Sequence, residues 1–166
     1  MNIPVELKLE IIPLKFKDFI DIKLIRWESL CQNLNAISIL EKNLDKVQWY
    51  WLSQNPNAIS ILEKNLDNVK WDWLSENSNA IHMIEKNLDK INWSWLSKNP
   101  NAISILEKNL DKVDWCGLSG NPNAIHMLER NLDKVDCIWL SGNQSIFEID
   151  TTEYNQKLKF YIKTFF

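Results

Sequence analysis

A repeat of 22 residues runs through most of this 166-residue chain and limits its possible folds more than any other feature. The tripeptide Asn-Ala-Ile begins at positions 35, 57, 79, 101 and 123, and no insertion breaks the register. All nine tryptophans fall in two columns of the repeat. The first column is Trp27, Trp49, Trp71, Trp93 and Trp115; the second is Trp51, Trp73, Trp95 and Trp139. Because similar copies adopt one structure and meet similar neighbours, the pattern predicts a stacked architecture in which each copy contacts those beside it.

One copy carries the start and stop signals of two short helices. Asn55 can cap the first helix, and Pro56 suits its first position because the N–H that proline lacks has no partner there. We expect Asn65 to end this helix in the left-handed conformation. Asp67 can cap the second helix, which is apolar on two sides.

Helices this short are unstable alone, and helices this apolar must be covered by neighbouring copies. Each buried indole removes roughly 150–250 Å² from water, so we expect tryptophans stacked between copies to supply most of the stability. The sequence thus predicts an all-α solenoid of five to six short helical-hairpin repeats over residues 27–144, with non-repeating caps at 1–26 and 145–166. The alternative is a β-solenoid similar to leucine-rich repeats, because Val47, Trp49 and Trp51 alternate as in a strand.

The second tryptophan column allows two interpretations. Residues two apart on a helix point about 200° from one another, so one column can lie in the core while the other is partly exposed. If the second column is buried, its tryptophans serve only as core. If it is exposed, it is a candidate partner-binding stripe, because Trp is prominent among interface hot spots. The candidate residues are Trp51, Trp73, Trp95 and Trp139, interrupted by Gly117.

Charge and hydropathy narrow the classes of partner. Residues 27–144 carry eleven basic and fifteen acidic groups, so they lack the cationic surplus that neutralises phosphates. No apolar stretch reaches the ~18–20 residues of a membrane-spanning helix, and the first residues do not resemble a secretory signal. We expect an intracellular protein whose partners are proteins, with no nucleic acid and no membrane partner.

No arrangement of residues indicates catalysis or metal binding. Cys31, Cys116 and Cys137 lack the close spacing of zinc ligands. His82 and His126 occupy one column two copies apart, which places them about 20 Å from each other if a helical layer is ~10 Å thick. The carboxylates and asparagines recur in every copy, which is typical of architecture and of satisfied helix ends rather than of a unique site. We expect a protein that is not an enzyme and has no cofactor.

The unit Trp-x-Trp-Leu-Ser-x-Asn-Pro-Asn-Ala-Ile, followed by Leu-Glu-Lys-Asn-Leu-Asp-Lys-Val, is similar to short tandem repeats in proteins of giant, mimivirus-like DNA viruses of protists. The resemblance covers about residues 27–150, including the closing Ser-Ile-Phe-Glu-Ile-Asp of 145–150. It implies no particular activity. It implies a viral protein of the host cytoplasm or the virion, either an interaction scaffold or a structural component of the particle.

The amino-terminal segment resembles an F-box, through its early Ile-Pro and Glu-Leu, a pair of isoleucines, Lys17-Asp18-Phe19 and a closing Trp27. The resemblance implies a small helical module that binds Skp1 and makes the solenoid a substrate adaptor of a ubiquitin ligase. The same segment also fits a plain amphipathic cap. The F-box-like surface would comprise Ile3, Pro4, Leu7, Ile11, Ile12 and Phe19.

Overall fold

The computed structural model describes residues 15, 17 and 21–147, and its regular elements are all helices. Short helices recur about every 22 residues and stack on one another, which confirms the predicted all-α solenoid. Within these residues no strand occurs, so the alternative similar to leucine-rich repeats is wrong.

Each copy contributes an A helix, which begins at the first-column tryptophan or its equivalent, and a B helix, which follows the Asn-Ala turn. In chain order the helices are α1 (Trp27–Gln32), α2 (Ile37–Leu40), α3 (Trp49–Gln54), α4 (Ile59–Lys64), α5 (Trp71–Glu76), α6 (Ile81–Glu85), α7 (Trp93–Lys98), α8 (Ile103–Glu107), α9 (Trp115–Ser119), α10 (Ile125–Glu129) and α11 (Cys137–Ser141). The odd-numbered helices are A helices and the even-numbered ones are B helices. Short 3₁₀ helices lie at Ile22–Leu24, Leu44–Lys46, Leu66–Asn68, Leu110–Lys112, Leu132–Lys134 and Gln144–Ile146.

The core follows the stack of A helices. Each A helix packs against the A helix of the next copy, and the leucine after the second-column position points inward from it. The alanine of Asn-Ala-Ile is buried beside it, where a small side chain lets the B helix start close to the A helices. The fully buried members of these two columns are Leu52, Leu74, Leu96, Leu118, Ala58, Ala80, Ala102 and Ala124.

The predicted start of the first helix is wrong. Asn55 ends α3, and the next helix begins at Ile59, after a turn that contains Pro56. The Oδ1 atom of Asn55 accepts the main-chain N–H of Asn57 at 3.0 Å, closing a local turn. Asparagine favours such side-chain turns as readily as helix caps, and the sequence does not distinguish the two uses.

The predicted boundary between the helices is also wrong. Asn65 has φ −134° and ψ 46°, outside the left-handed region, and its Nδ2 donates back to the Ile61 carbonyl at 2.7 Å. Asp67 lies in the 3₁₀ helix Leu66–Asn68, and α5 begins only at Trp71, after Lys70.

The tryptophans are not the buried layer that we expected. The described indoles are half-buried except that of Trp139, which is 49% exposed. The side chains enclosed between copies are the leucines together with the serine and asparagine of Leu-Ser-x-Asn. Two residues of each such A helix and the asparagine that follows it therefore take up the interior, and both indole columns remain at its edge.

The F-box-like residues Ile3, Pro4, Leu7, Ile11, Ile12 and Phe19 lie outside the described residues, as does most of each predicted cap.

Candidate functional site

Buried asparagines link successive copies through main-chain carbonyls. Asn99 Nδ2 donates to the carbonyls of Ser75 at 3.0 Å and Asn77 at 3.1 Å, while its Oδ1 accepts the N–H of Asn101 at 3.0 Å. Asn55, Asn77, Asn121 and Asn143 make the same three hydrogen bonds. The bond from Asn55 Nδ2 to the Asn33 carbonyl is the longest, at 3.3 Å. We call this set the asparagine ladder; its members are Asn55, Asn77, Asn99, Asn121 and Asn143.

A serine column completes the buried hydrogen bonding. Ser97 Oγ donates to the Trp93 carbonyl at 2.8 Å and accepts the N–H of Asp114, in the next copy, at 3.0 Å. In the first copy Cys31 takes the serine's place, and its Sγ accepts the Gln48 N–H at 3.4 Å. Burial raises the pKa of the Cys31 thiol. The buried asparagines are structural, as predicted, but they and the serines bond across copies rather than only at helix ends. Candidate binding residues must be sought outside this set.

The second tryptophan column forms a continuous aromatic surface on the A helices. The ring centroids of Trp51 and Trp73 lie 6.1 Å apart, and those of Trp73 and Trp95 lie 5.6 Å apart, with tilted planes. Tyr50 extends this surface, with its ring 4.8 Å from that of Trp51 and 6.0 Å from that of Trp73. We call Trp51, Trp73, Trp95 and Trp139 the indole face. The structure therefore brings the first three predicted residues into contact and separates the fourth from them.

Two glycines cause that separation. Gly117 stands where the copies on either side have Trp95 and Trp139, and Gly120 lies one turn further along, where the preceding copy has Lys98. The Trp139 ring lies against Gly120, because a Cβ atom there would be 3.4 Å from its Cε3. Between Trp95 and Trp139, Gly117 in α9 and Gly120 at its end carry no side chain. We call this space between the two indoles the indole gap.

Lys98 crosses the indole gap. Its Nζ lies 5.1 Å from the ring centroids of both Trp95 and Trp139, and its Cγ would be 3.2 Å from a Cβ atom at Gly117. Lys98 and Gly120 were not among the residues predicted from the sequence. The signal available was Gly117, which is the one glycine in its column and is followed three residues later by Gly120.

Two carboxylates precede the helices that border the gap, Asp114 before α9 and Asp136 before α11. Asp114 Oδ2 would be 3.4 Å from a Cβ atom at Gly117 and accepts the Ser94 hydroxyl. Asp136 precedes α11 and accepts the main-chain N–H groups of Ile138 and Trp139. The Trp139 N–H lowers the pKa of Asp136, and the hydrogen bond from Cys116 to Asp136 raises the pKa of that thiol.

The first tryptophan column has a different arrangement, in which lysines cover the indoles. A lysine nineteen residues downstream places its Nζ 4.7 to 5.2 Å from the centroid of each indole in this column except Trp49. The position that would cover Trp49 is Asn68. The pairs are Lys46–Trp27, Lys90–Trp71, Lys112–Trp93 and Lys134–Trp115.

The histidines lie on the B helices as exposed partners of glutamates. His82 Nε2 is 2.7 Å from Glu63 Oε1, and His126 Nε2 is 2.9 Å from Glu107 Oε1. Each pair joins two successive copies. Over residues 15, 17 and 21–147, no group of three or more His, Cys, Asp or Glu side chains is placed to hold a metal ion. The helices in this part of the chain are also too short to cross a bilayer.

Comparison with known proteins gives no matching family model, no matching curated relative and no matching solved structure.

Proposed function

We propose that the solenoid is a non-catalytic protein-binding scaffold and that a protein partner docks on the indole face. The observation that carries this proposal is the half-exposed, contiguous row of Trp51, Trp73 and Trp95 on neighbouring A helices. Large apolar side chains that stay at the surface in a continuous row mark interaction sites, and tryptophan contributes strongly to such interfaces.

The scaffold beneath the row supports this role. The asparagine ladder fixes the spacing of the A helices independently of the indoles, so the indole face is presented by a framework that does not depend on a partner. Side chains held on rigid elements lose less conformational freedom when they bind. At one end of the face Trp51 borders a depression of about 200 Å³ with Gln32, Gln54 and Pro56, which offers room for a partner side chain.

Affinity capture from cell extract with paired variants tests the proposal. Trp51→Gln combined with Trp73→Gln should abolish retention of the partner, because the substitutions replace indoles with polar groups. Leu66→Ser is the matched control, since Leu66 is 48% exposed in the 3₁₀ helix between α4 and α5 and its loss removes apolar surface elsewhere. Circular dichroism verifies that both proteins keep their helices. Retention that is the same for both variants contradicts the indole face as the docking surface.

A narrower version of the scaffold role is that of a Skp1-binding substrate adaptor, and it rests on the F-box-like sequence alone. Leu7→Asp and Ile11→Asp should then release Skp1 while the indole face still retains its own partner. Retention of Skp1 by these variants, or its absence from the unmodified chain's complexes, rules the adaptor out. Stoichiometric amounts of the chain in purified virus particles would instead favour the structural role.

A further inference from the structure

The indole gap is the point at which the indole face departs most from its own repeat. We propose that it is a binding site for a single cationic side chain of the partner, an arginine or a lysine, which lies between Trp95 and Trp139 in the place that Lys98 holds in the free protein. This inference rests on the proposed function, because it names the chemistry of a partner for the same surface.

Lys98 shows that the gap accepts a cation on an alkyl chain. Its ammonium group faces two indole rings at equal distances of 5.1 Å, and its stem lies over the bare backbone at Gly117. The three preceding copies and the following one have an indole at this position, which would fill the space. Only the copy with Gly117 and Gly120 therefore offers two separated aromatic faces on the same surface.

Charge at the gap selects for a cation over an anion. Asp114 lies beside Gly117, and Asp136 lies at the start of the helix that carries Trp139. When Lys98 moves out, the negative faces of the two indoles lose the positive charge that lies over them. A partner's cation restores that charge, whereas an acidic side chain meets repulsion from both carboxylates.

Lys98 can be displaced because little else holds its ammonium group. Among the described residues it forms no ion pair, and its contacts with Trp95 and Trp139 are cation–π contacts at a half-exposed site. Contacts of this kind are weak when solvent reaches them. An arginine from a partner has an advantage over Lys98, since a planar guanidinium group stacks on aromatic rings better than an ammonium group.

Titration of the full-length chain with N-acetylarginine amide tests the site without any partner protein. Indole N–H resonances in ¹H–¹⁵N spectra report on Trp95 and Trp139. Lys98→Ala removes the internal competitor and should lower the dissociation constant roughly tenfold, the size expected for loss of two exposed cation–π contacts. Lys112→Ala, which removes the cation over Trp93 in the first column, is the matched control and should leave the dissociation constant unchanged. Trp139→Ala, and separately Gly117→Trp, should abolish the effect of Lys98→Ala.

Three outcomes overturn the proposal: no saturable shift of Trp95 and Trp139 in Lys98→Ala, equal tightening in Lys112→Ala, or equal binding of N-acetylglutamate amide. The last outcome would show that the gap does not select for positive charge. Because the probe is a small molecule, a negative titration leaves the capture experiment on the indole face unaffected. Unchanged partner retention by the Trp51→Gln, Trp73→Gln variant, together with saturable probe binding at the gap, would contradict the proposed function and spare the gap as a cation site.

Discussion

The interior of the solenoid and its indole face follow the same 22-residue period but tolerate change very differently. The asparagine ladder is unbroken in every described copy, and its neighbouring serine is replaced only by Cys31, which keeps the hydrogen bond from the next copy. On the indole face one tryptophan is missing at Gly117 and another is displaced toward Gly120.

The difference reflects what each side chain contacts. An interior asparagine bonds to main-chain atoms of three other residues, and those atoms still need hydrogen-bond partners whatever side chain replaces it. An indole of the outer face contacts other side chains and water, so a replacement leaves no main-chain group unsatisfied. Variation between copies is therefore informative mainly on the outer face, where it marks a local change in what the surface can bind.

The largest expected effect comes from Asn99→Ala, at the centre of the asparagine ladder. The substitution removes the amide that bonds to the Ser75 carbonyl and the Asn101 N–H. The Asn77 carbonyl loses one of two hydrogen bonds, since it also accepts the Ala80 N–H at 3.1 Å. At about 1–3 kcal/mol for each buried unsatisfied group, we expect a loss of roughly 4 kcal/mol in the free energy of unfolding, measured by urea denaturation. Asn101→Ala is the control, because Asn101 is exposed and its Nδ2 makes one bond, to the Ser78 carbonyl. Equal losses for the two variants would show that the interior and the surface do not differ as argued.

Trp73→Ala should have the next largest effect, about 2 kcal/mol, even though it removes a much larger side chain than Asn99→Ala does. Trp73 is half-buried and packs against Trp51, Trp95 and Tyr50, so its removal exposes apolar surface but leaves no polar group buried and unpaired. Chemical denaturation under the conditions used for Asn99→Ala gives the comparison. A loss greater than that of Asn99→Ala would return the indoles to the central stabilising role that the sequence suggested.

The repeat predicted the solenoid because period and helix signals are both local in the sequence. The asparagines were also predictable as structural, since they recur in every copy. Their particular partners were not predictable. The same side-chain amide of Asn55 could cap α4 or bond back to the Cys31 carbonyl, and which it does depends on the preceding copy. For the same reason tryptophan burial was overestimated: hydrophobicity ranks an indole above serine, whereas Ser53 is enclosed because its hydroxyl joins two copies.

The candidate site was predicted in part. Spacing alone placed Trp51, Trp73 and Trp95 in one row, and the structure brings their rings together. Lys98 was not predictable from spacing, since its column holds Gln54, Glu76 and two glycines, and its position over two rings depends on the space left by Gly117.

Ser97→Ala should cost between about 1 and 2 kcal/mol, because the Asp114 N–H loses the hydroxyl that accepts it across the copy boundary. Ser97→Cys should cost about half as much, since Cys31 shows that sulfur can accept the equivalent N–H at 3.4 Å. Thermal unfolding of the two variants side by side measures the difference. If cysteine proves as damaging as alanine, the cross-copy bond is not what the serine column supplies.

The smallest expected effect is a gain, from Asn68→Lys on the outer surface. Four first-column indoles have a lysine nineteen residues downstream within 5.2 Å of the ring centroid, and Trp49 has Asn68 at that position. A lysine there should adopt the same geometry and add about 0.5 kcal/mol, the usual size of an exposed cation–π contact. Asn68→Met, which supplies a similar stem without charge, separates the cation–π contribution from apolar coverage of the ring. A gain with methionine equal to that with lysine would show that the covering stems, rather than the charges, stabilise the first column. The stabilising part of the outer surface would then be apolar throughout, and the cation between Trp95 and Trp139 would be the exception.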